Sequence, residues 1–247
     1  MIDLTQYDVV FLDIGNVIFH DTPVESYFYF NIFKKLNAKR GLDIEDFFQC
    51  WQEQKKNNQY DWYKVLFRTS MEERFVTEFA WRKVLHDWDK LIFPIDGSIE
   101  FLKKLSQKNK LAIIANQPIL IRESLDKYRV TALMDQILLD CEYDIPKPDA
   151  RIFQEALKRT NTTPERSIMV GDRIDNDIFP AHLLGFDTVW IKYNAPQLLL
   201  THEQLSEEWQ NRHNQIITER ANLNEAFLAE KKLEPTYTVA RICDLSV

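Results

Sequence analysis

The segment Val9-Val10-Phe11-Leu12-Asp13-Ile14-Gly15-Asn16-Val17-Ile18-Phe19 constrains the fold of this chain more than any other. Four consecutive apolar residues, two of them β-branched, read as a buried strand. The run ends on Asp13, and Ile14-Gly15-Asn16 is the only turn chemistry before apolar residues resume. In an open parallel sheet, ligands bind in the crevice beyond the carboxyl ends of the strands, so Asp13 is placed toward a site and not toward the core. Ile168-Met169-Val170-Gly171-Asp172 repeats the design, an apolar run passing through Gly into Asp. The chain has only 5 glycines in 247 residues, so two glycines beside two strand-end acids point to one shared site. Gly41 and Gly185 fit helix ends, and Gly97 an Asp-Gly turn.

From Pro94 onward the pattern is regular. Strands are expected at 110–115, 137–139, 167–170 and 188–192, and helices at 98–107, 119–128, 149–159 and 175–184. Such alternation implies βαβ units and an α/β fold, a doubly wound parallel sheet with helices on both faces. Residues 24–93 differ. They hold more than half of the aromatic residues and no proline, and they fit four helices at 25–40, 44–56, 60–69 and 72–91. Asp43 caps the second of these, and Ser70-Met71-Glu72-Glu73 reads as a capping box for the last. The aromatic residues of this window read first as core. Thr201-His202-Glu203-Gln204 is a further capping box, opening a charged helical stretch through Trp209, Ile216 and Leu223. We read residues 197–233 as an insertion, because Tyr237-Thr238-Val239 suits one more strand. The expected domains are an α/β core (1–16 and 94–247, with that insertion) and a helical domain (17–93). The apolar stripe of the 204–232 helix suits docking on the body or pairing with a second copy.

Composition excludes several function classes. Net charge is −7, and no window combines a Lys/Arg cluster with interleaved aromatics, which argues against nucleic acid. Cys50, Cys141 and Cys243 show no Cys-x-x-Cys spacing, so neither a disulfide framework nor a zinc site is indicated. No apolar run reaches the length of a membrane span, and the first residues lack the pattern of a secretion signal, so a soluble, cytoplasmic protein without membrane contact is expected. A Gly-x-Gly-x-x-Gly turn after the first strand and a P-loop are both absent from the sequence.

Two further signals carry chemistry. Lys147 stands between Pro146 and Pro148, a rigid setting that aims its ammonium at a fixed point and suits a phosphoryl group. Asp172, Asp175 and Asp177 lie within six residues at a strand end, and such carboxylates repel one another unless a cation sits among them. Oxygen-only ligands favour Mg²⁺. Asn116, after the apolar run 111–115, is by itself ordinary turn chemistry.

Taken in order, Asp13-Ile14-Gly15-Asn16-Val17, Asn116, Lys147-Pro148-Asp149-x-x-Ile152-Phe153 and Gly171-Asp172-x-x-x-x-Asp177 resemble the motifs of the haloacid dehalogenase superfamily, in its class with a helical cap inserted after the first motif. The resemblance spans nearly the whole chain apart from the 197–233 insertion. It implies a Rossmannoid α/β core with a helical cap and phosphoryl transfer through an aspartyl-phosphate, with Asp13 as nucleophile. It also implies Mg²⁺ held by Asp13, the Gly15 carbonyl and Asp172, with Asp177 beside it. Lys147 is then catalytic, binding the phosphoryl oxygens, while Ile14, Gly15, Asn16, Asn116 and Gln117 line the substrate-binding cradle.

Two positions depart from the family pattern. Gly15 stands where such phosphatases usually carry a second Asp as general acid and base, and Ala115 stands where Ser or Thr is usual. Asp-x-Gly-Asn-Val nonetheless resembles a branch of phosphatases, among them one acting on a sugar 1-phosphate. His20 and Asp21 are the nearest candidates for a substitute acid. The expected activity is a Mg²⁺-dependent phosphatase of a small phosphorylated metabolite. The alternative is a weak or inactive relative that binds phosphate or a protein partner. A metal-free dehalogenase would leave the acid cluster at 172–177 without a cation.

Overall fold

The computed structural model describes residues 3–55, 62–192 and 205–246. In chain order its main elements are β1 (Val9–Leu12), β2 (Phe19–His20), α1 (Thr22–Arg40), α2 (Ile44–Lys55), α3 (Ser70–Leu91), β3 (Phe93–Pro94), α4 (Ser98–Leu105) and β4 (Lys110–Ala115). There follow α5 (Ile121–Lys127), β5 (Gln136–Leu139), α6 (Asp140–Tyr143), α7 (Ala150–Thr160), β6 (Ser167–Gly171), α8 (Phe179–Leu183), β7 (Asp187–Ile191), α9 (Glu207–Lys231) and β8 (Tyr237–Val239). They form two units: an α/β unit of residues 1–20, 92–194 and 224–247, and a helical unit of residues 21–91 and 195–223.

In the α/β unit the described strands form a six-stranded sheet in the order β5-β4-β1-β6-β7-β8. Every neighbouring pair in it is parallel. This is the expected α/β fold, and the sequence dictates it directly. β1 is buried at all four positions, as a strand covered on both faces must be, so its residues need no polar alternation. Val9 and Phe11 share a core cluster with Ile152, Phe153, Ala156 and Leu157 of α7 and Met169 of β6. Phe11 meets Phe186 edge-on at 5.5 Å. The chain runs from β1 to β4 and β5 on one side and returns to β6 on the other, so its winding reverses at β1. A sheet of this kind takes its ligand at that reversal, beyond the carboxyl ends of the strands. A two-residue antiparallel pairing of β2 with β3 was too short to leave a periodic signal.

In the helical unit, α1 ends at Gly41 in the left-handed conformation (φ 67°), as expected. The Asp43 carboxylate accepts from the Glu45 N–H at 2.7 Å, capping α2. Two expectations are corrected. The helix at 60–69 is a 3₁₀ turn, Trp62–Leu66, with Tyr60 outside the described residues. The cap of α3 lies one residue earlier than the sequence box: Thr69 Oγ1 accepts from the Glu72 N–H at 3.1 Å, and the Glu72 carboxylate accepts from the Arg68 N–H at 2.8 Å. The pattern is the same as in the expected box, shifted by one residue, with Thr69 serving the Glu72 N–H in place of Ser70 serving that of Glu73. Most of the aromatic side chains are core: Trp51 and Trp62 are fully buried and stack 4.9 Å apart at 6°. α1 and α3 are pinned by the Tyr27 hydroxyl, which donates to one oxygen of the buried Asp87 at 2.9 Å, while Lys90 of α3 itself donates to the other at 2.8 Å.

The insertion also differs from expectation. Its capping box at 201–204 lies outside the described residues, and the cap seen on α9 is Ser206, whose hydroxyl accepts from the Trp209 N–H at 3.2 Å. Residues 205–223 belong with the helical unit, although the sequence pattern assigned 197–233 to the α/β domain. The cause is Trp209. Its buried ring packs against Phe30 and Phe48 at 5.2 and 4.8 Å, and its indole N–H donates to Ser26 Oγ at 3.1 Å. Residues 224–231 of α9 lie in the α/β unit. No described helix is long and apolar enough to cross a membrane.

Trp209→Ala should therefore lower the unfolding free energy by about 3 to 5 kcal/mol in urea denaturation, the range for truncating a buried aromatic. A loss below about 1 kcal/mol would show that the helical unit does not depend on α9.

Candidate active site

Asp13 follows β1 directly, and its N–H donates to the Val170 carbonyl at 2.9 Å, which keeps the chain paired to β6 one residue past the strand. The turn then folds back on itself: the Ile14 carbonyl accepts from the N–H groups of Ile18 and Phe19, at 2.9 and 3.1 Å, and Asn16 N–H donates to Phe19 O at 2.7 Å. The left-handed residue of this turn is Asn16 (φ 56°), not Gly15, and Asn is among the few residue types that tolerate that conformation. Among the backbone hydrogen bonds of the described residues, the N–H groups of Ile14 and Gly15 donate to no carbonyl.

Lys147 is buried, and its Nζ lies 2.8 Å from Asp13 Oδ1 and 2.6 Å from Asp177 Oδ1. Burial disfavours the charged ammonium, but the two carboxylates outweigh it and hold the lysine above its ordinary pKa. Asp177 is fully buried, and burial together with the Asp13 charge drives its carboxyl above the usual range against the opposing pull of Lys147. Its second oxygen accepts from the Arg173 N–H at 3.1 Å. This packing explains Gly171: a Cβ there would stand 2.3 Å from Asp177 Cβ, so no other residue can precede Asp172 without displacing Asp177.

Asp13, Asp172 and Asp177 can each offer an oxygen within 4.8 Å of the others. Two of these carboxylates contact the Lys147 ammonium and the third lies beside them, and an all-oxygen donor set of this kind fits a hard divalent cation such as Mg²⁺. Asp175 stays out of this group. It forms a two-point ion pair with Arg173, Nε to Oδ1 at 3.1 Å, which explains the third acid of the sequence cluster. The helix expected at 175–184 begins as a π-helical turn, Ile174–Ile178, and continues as α8. That turn carries Asp177.

The structure gives several predicted residues different tasks. Asn116 follows β4, but its amide clamps the lysine backbone: Nδ2 donates to Lys147 O at 2.9 Å, and Oδ1 accepts from Lys147 N–H at 2.8 Å. Asn16 donates from Nδ2 to Asp172 Oδ2 at 3.0 Å. Gln117 is buried and its N–H donates to Asp140 Oδ1 at 2.8 Å. His20 packs against Phe93 with ring centroids 4.9 Å apart, and burial pushes its imidazole below the ordinary histidine pKa. The residue that sequence reasoning missed is Trp190, whose indole N–H donates to the Asp172 carbonyl at 3.1 Å. An aromatic residue inside a strand gives no local sign of such a task.

A parallel sheet of this winding, with an Asp after its switch-point strand facing a buried Lys and two more acids, defines a hydrolase-type site. The profile of the haloacid dehalogenase-like hydrolase family matches residues 18–191, well over half of the chain, and the protein belongs to that family. The matched stretch starts after Asp13 and includes Lys147, Asp172 and Asp177. A glyceraldehyde 3-phosphate phosphatase from Pyrococcus furiosus is 29% identical over 138 residues, 55% of each chain. The chain spans about half the length of the curated relatives it matches. Among solved structures, a HAD phosphatase from Thermococcus onnurineus superposes with a TM-score of 0.60 at 19% identity, covering 95% of this chain and 94% of that one. An L-2-haloacid dehalogenase from Xanthobacter autotrophicus superposes at 0.54 with 17% identity, covering 96% of each. One fold thus serves both chemistries, and the site must decide between them.

Lys147→Met leaves Asp177 buried without its counter-charge and should cost about 3 to 5 kcal/mol of stability, while Asp177→Asn in the same chain should restore part of the loss. Denaturation of the two single variants and the double variant checks this. Independent, additive losses would mean that the pair is not coupled.

Proposed function

We propose that the protein is a Mg²⁺-dependent phosphatase of a small phosphorylated metabolite, with Asp13 as nucleophile. The observation that carries this reading is the convergence of Asp13, Asp172 and Asp177 within 4.8 Å of one another, two of them in contact with the Lys147 ammonium. A dehalogenase has no use for three carboxylates, whereas hydrolysis of phosphate monoesters is among the slowest uncatalysed reactions and needs concentrated positive charge. The phosphatase relatives support the same choice.

In this account an Asp13 carboxylate oxygen attacks phosphorus, the ester P–O bond breaks, and the leaving group departs as its alkoxide or aryloxide, which takes a proton from solvent water. Water then attacks the aspartyl-phosphate, releasing inorganic phosphate and regenerating the carboxylate. Lys147 pairs with the Asp13 carboxylate and offers its charge to the phosphoryl oxygens, and the Ile14 and Gly15 N–H groups would donate to the same anion. Asn116 acts through Lys147, fixing its backbone. Asp13, Asp172 and the Gly15 carbonyl would hold Mg²⁺, which supplies charge neutralisation between nucleophile and phosphate. Gly15 provides no carboxyl for the leaving alcohol, so the reading favours substrates whose alcohol leaves easily, such as aryl or sugar 1-phosphates.

A second reading, a phosphate- or partner-binding protein with little catalysis, draws on Gly15 and Ala115. Turnover of p-nitrophenyl phosphate with Mg²⁺ separates the two. Asp13→Asn should lower kcat by at least about 10³-fold under the phosphatase reading, a loss of some 4 kcal/mol in transition-state stabilisation. Equal rates for the variant and the unaltered protein would leave only the binding reading.

A further inference from the structure

Asp172 is held at two places. Asn16 donates to its carboxylate at 3.0 Å, and the Trp190 indole donates to its backbone carbonyl at 3.1 Å. Trp190 stands opposite Gly171 in the β6–β7 register and is 5% exposed. Its ring belongs to a hydrophobic cluster separate from the one that Phe11 joins, made with Ile174, Ile178 and Leu233, with Phe227 and Leu228 packed against it. Ile174 and Ile178 flank Asp177 on the π-helical turn. Phe227 and Leu228 belong to the last turns of α9, where Phe227 meets Phe179 edge-on at 5.5 Å. Lys192 Nζ lies 5.8 Å from the centre of the Trp190 ring and is ion-paired with Glu225 of α9. The end of the inserted segment thus packs around the ring whose N–H donates to the Asp172 carbonyl.

A carboxylate that binds a cation is tuned by the groups that orient it, and loosening those groups typically weakens metal affinity. Packing alone would be served by any large apolar residue, whereas the indole also gives an N–H to the Asp172 carbonyl. We propose that Trp190 is a positioning residue for Asp172, locked in place by the C-terminal part of α9 and Leu233, and that the insertion thereby sets the affinity of the site for its divalent cation. The proposal rests on the metal-dependent reading above.

The test is Mg²⁺ binding to the full chain by titration calorimetry without substrate, with Mn²⁺ electron paramagnetic resonance as a second readout. Trp190→Phe keeps most of the ring packing and removes the N–H. Its Kd for Mg²⁺ should rise about three- to ten-fold, the equivalent of one lost hydrogen bond. Leu233→Ala keeps the N–H and frees the ring, and should raise Kd in the same direction by about two-fold or more. It carries the test if Trp190→Phe does not fold. Variants that melt earlier yet bind Mg²⁺ as tightly as the unaltered protein would overturn the proposal, since a purely structural role predicts that result. An unaltered chain that binds no Mg²⁺ would instead overturn the phosphatase reading itself, before any variant is compared.

Discussion

The site rests on one ammonium group facing two buried carboxylates. Lys147 contacts Asp13 at 2.8 Å and Asp177 at 2.6 Å, and Asp172 brings a third acid to the same place. Taking such charges out of water costs several kcal/mol per ion, so their attraction must be supported by well-placed hydrogen bonds. The surrounding structure supplies that support. Asn116 fixes the lysine backbone, Arg173 N–H serves Asp177, Asn16 serves Asp172, and the absence of a side chain at Gly171 leaves room for Asp177. Asp172 stands within 4.8 Å of both other acids, and a cation held by such an all-oxygen set would ease their mutual repulsion.

The sheet brings these groups together from distant parts of the sequence. Because β4 and β6 flank β1, residues following each of the three strands emerge side by side at one end. The fold alone does not name the reaction, since a phosphatase and a dehalogenase share it. What points to phosphoryl chemistry is the number of carboxylates and the charge they call for.

Much of this was legible in the sequence, for physical reasons. A strand buried on both faces must be continuously apolar, so β1 and β6 announce themselves, and an acid at the end of such a run has nowhere to go but a site. Lys147 stood out because two prolines restrain it. What was not legible depends on contacts across the chain. Ser26 and Trp209 lie 183 positions apart, and no local period reveals that a tryptophan in an insertion completes the core of another segment. Asn116 and Asn16 were recognised as site residues, but their amides serve Lys147 and Asp172, a distinction that only geometry makes. Trp190 gave no signal because a tryptophan in a strand looks like packing.

The central claim, that these side chains form one cation and phosphoryl site, is tested most directly by a crystal structure with Mn²⁺ and a beryllium fluoride analogue of the acyl phosphate. The account predicts an anomalous peak at about 2.0 to 2.3 Å from oxygens of both Asp13 and Asp172, the range for a hard cation on carboxylate ligands, with the fluoride analogue on Asp13 beside Lys147. An ion bound at Asp175 or elsewhere, with the analogue absent from Asp13, would contradict it.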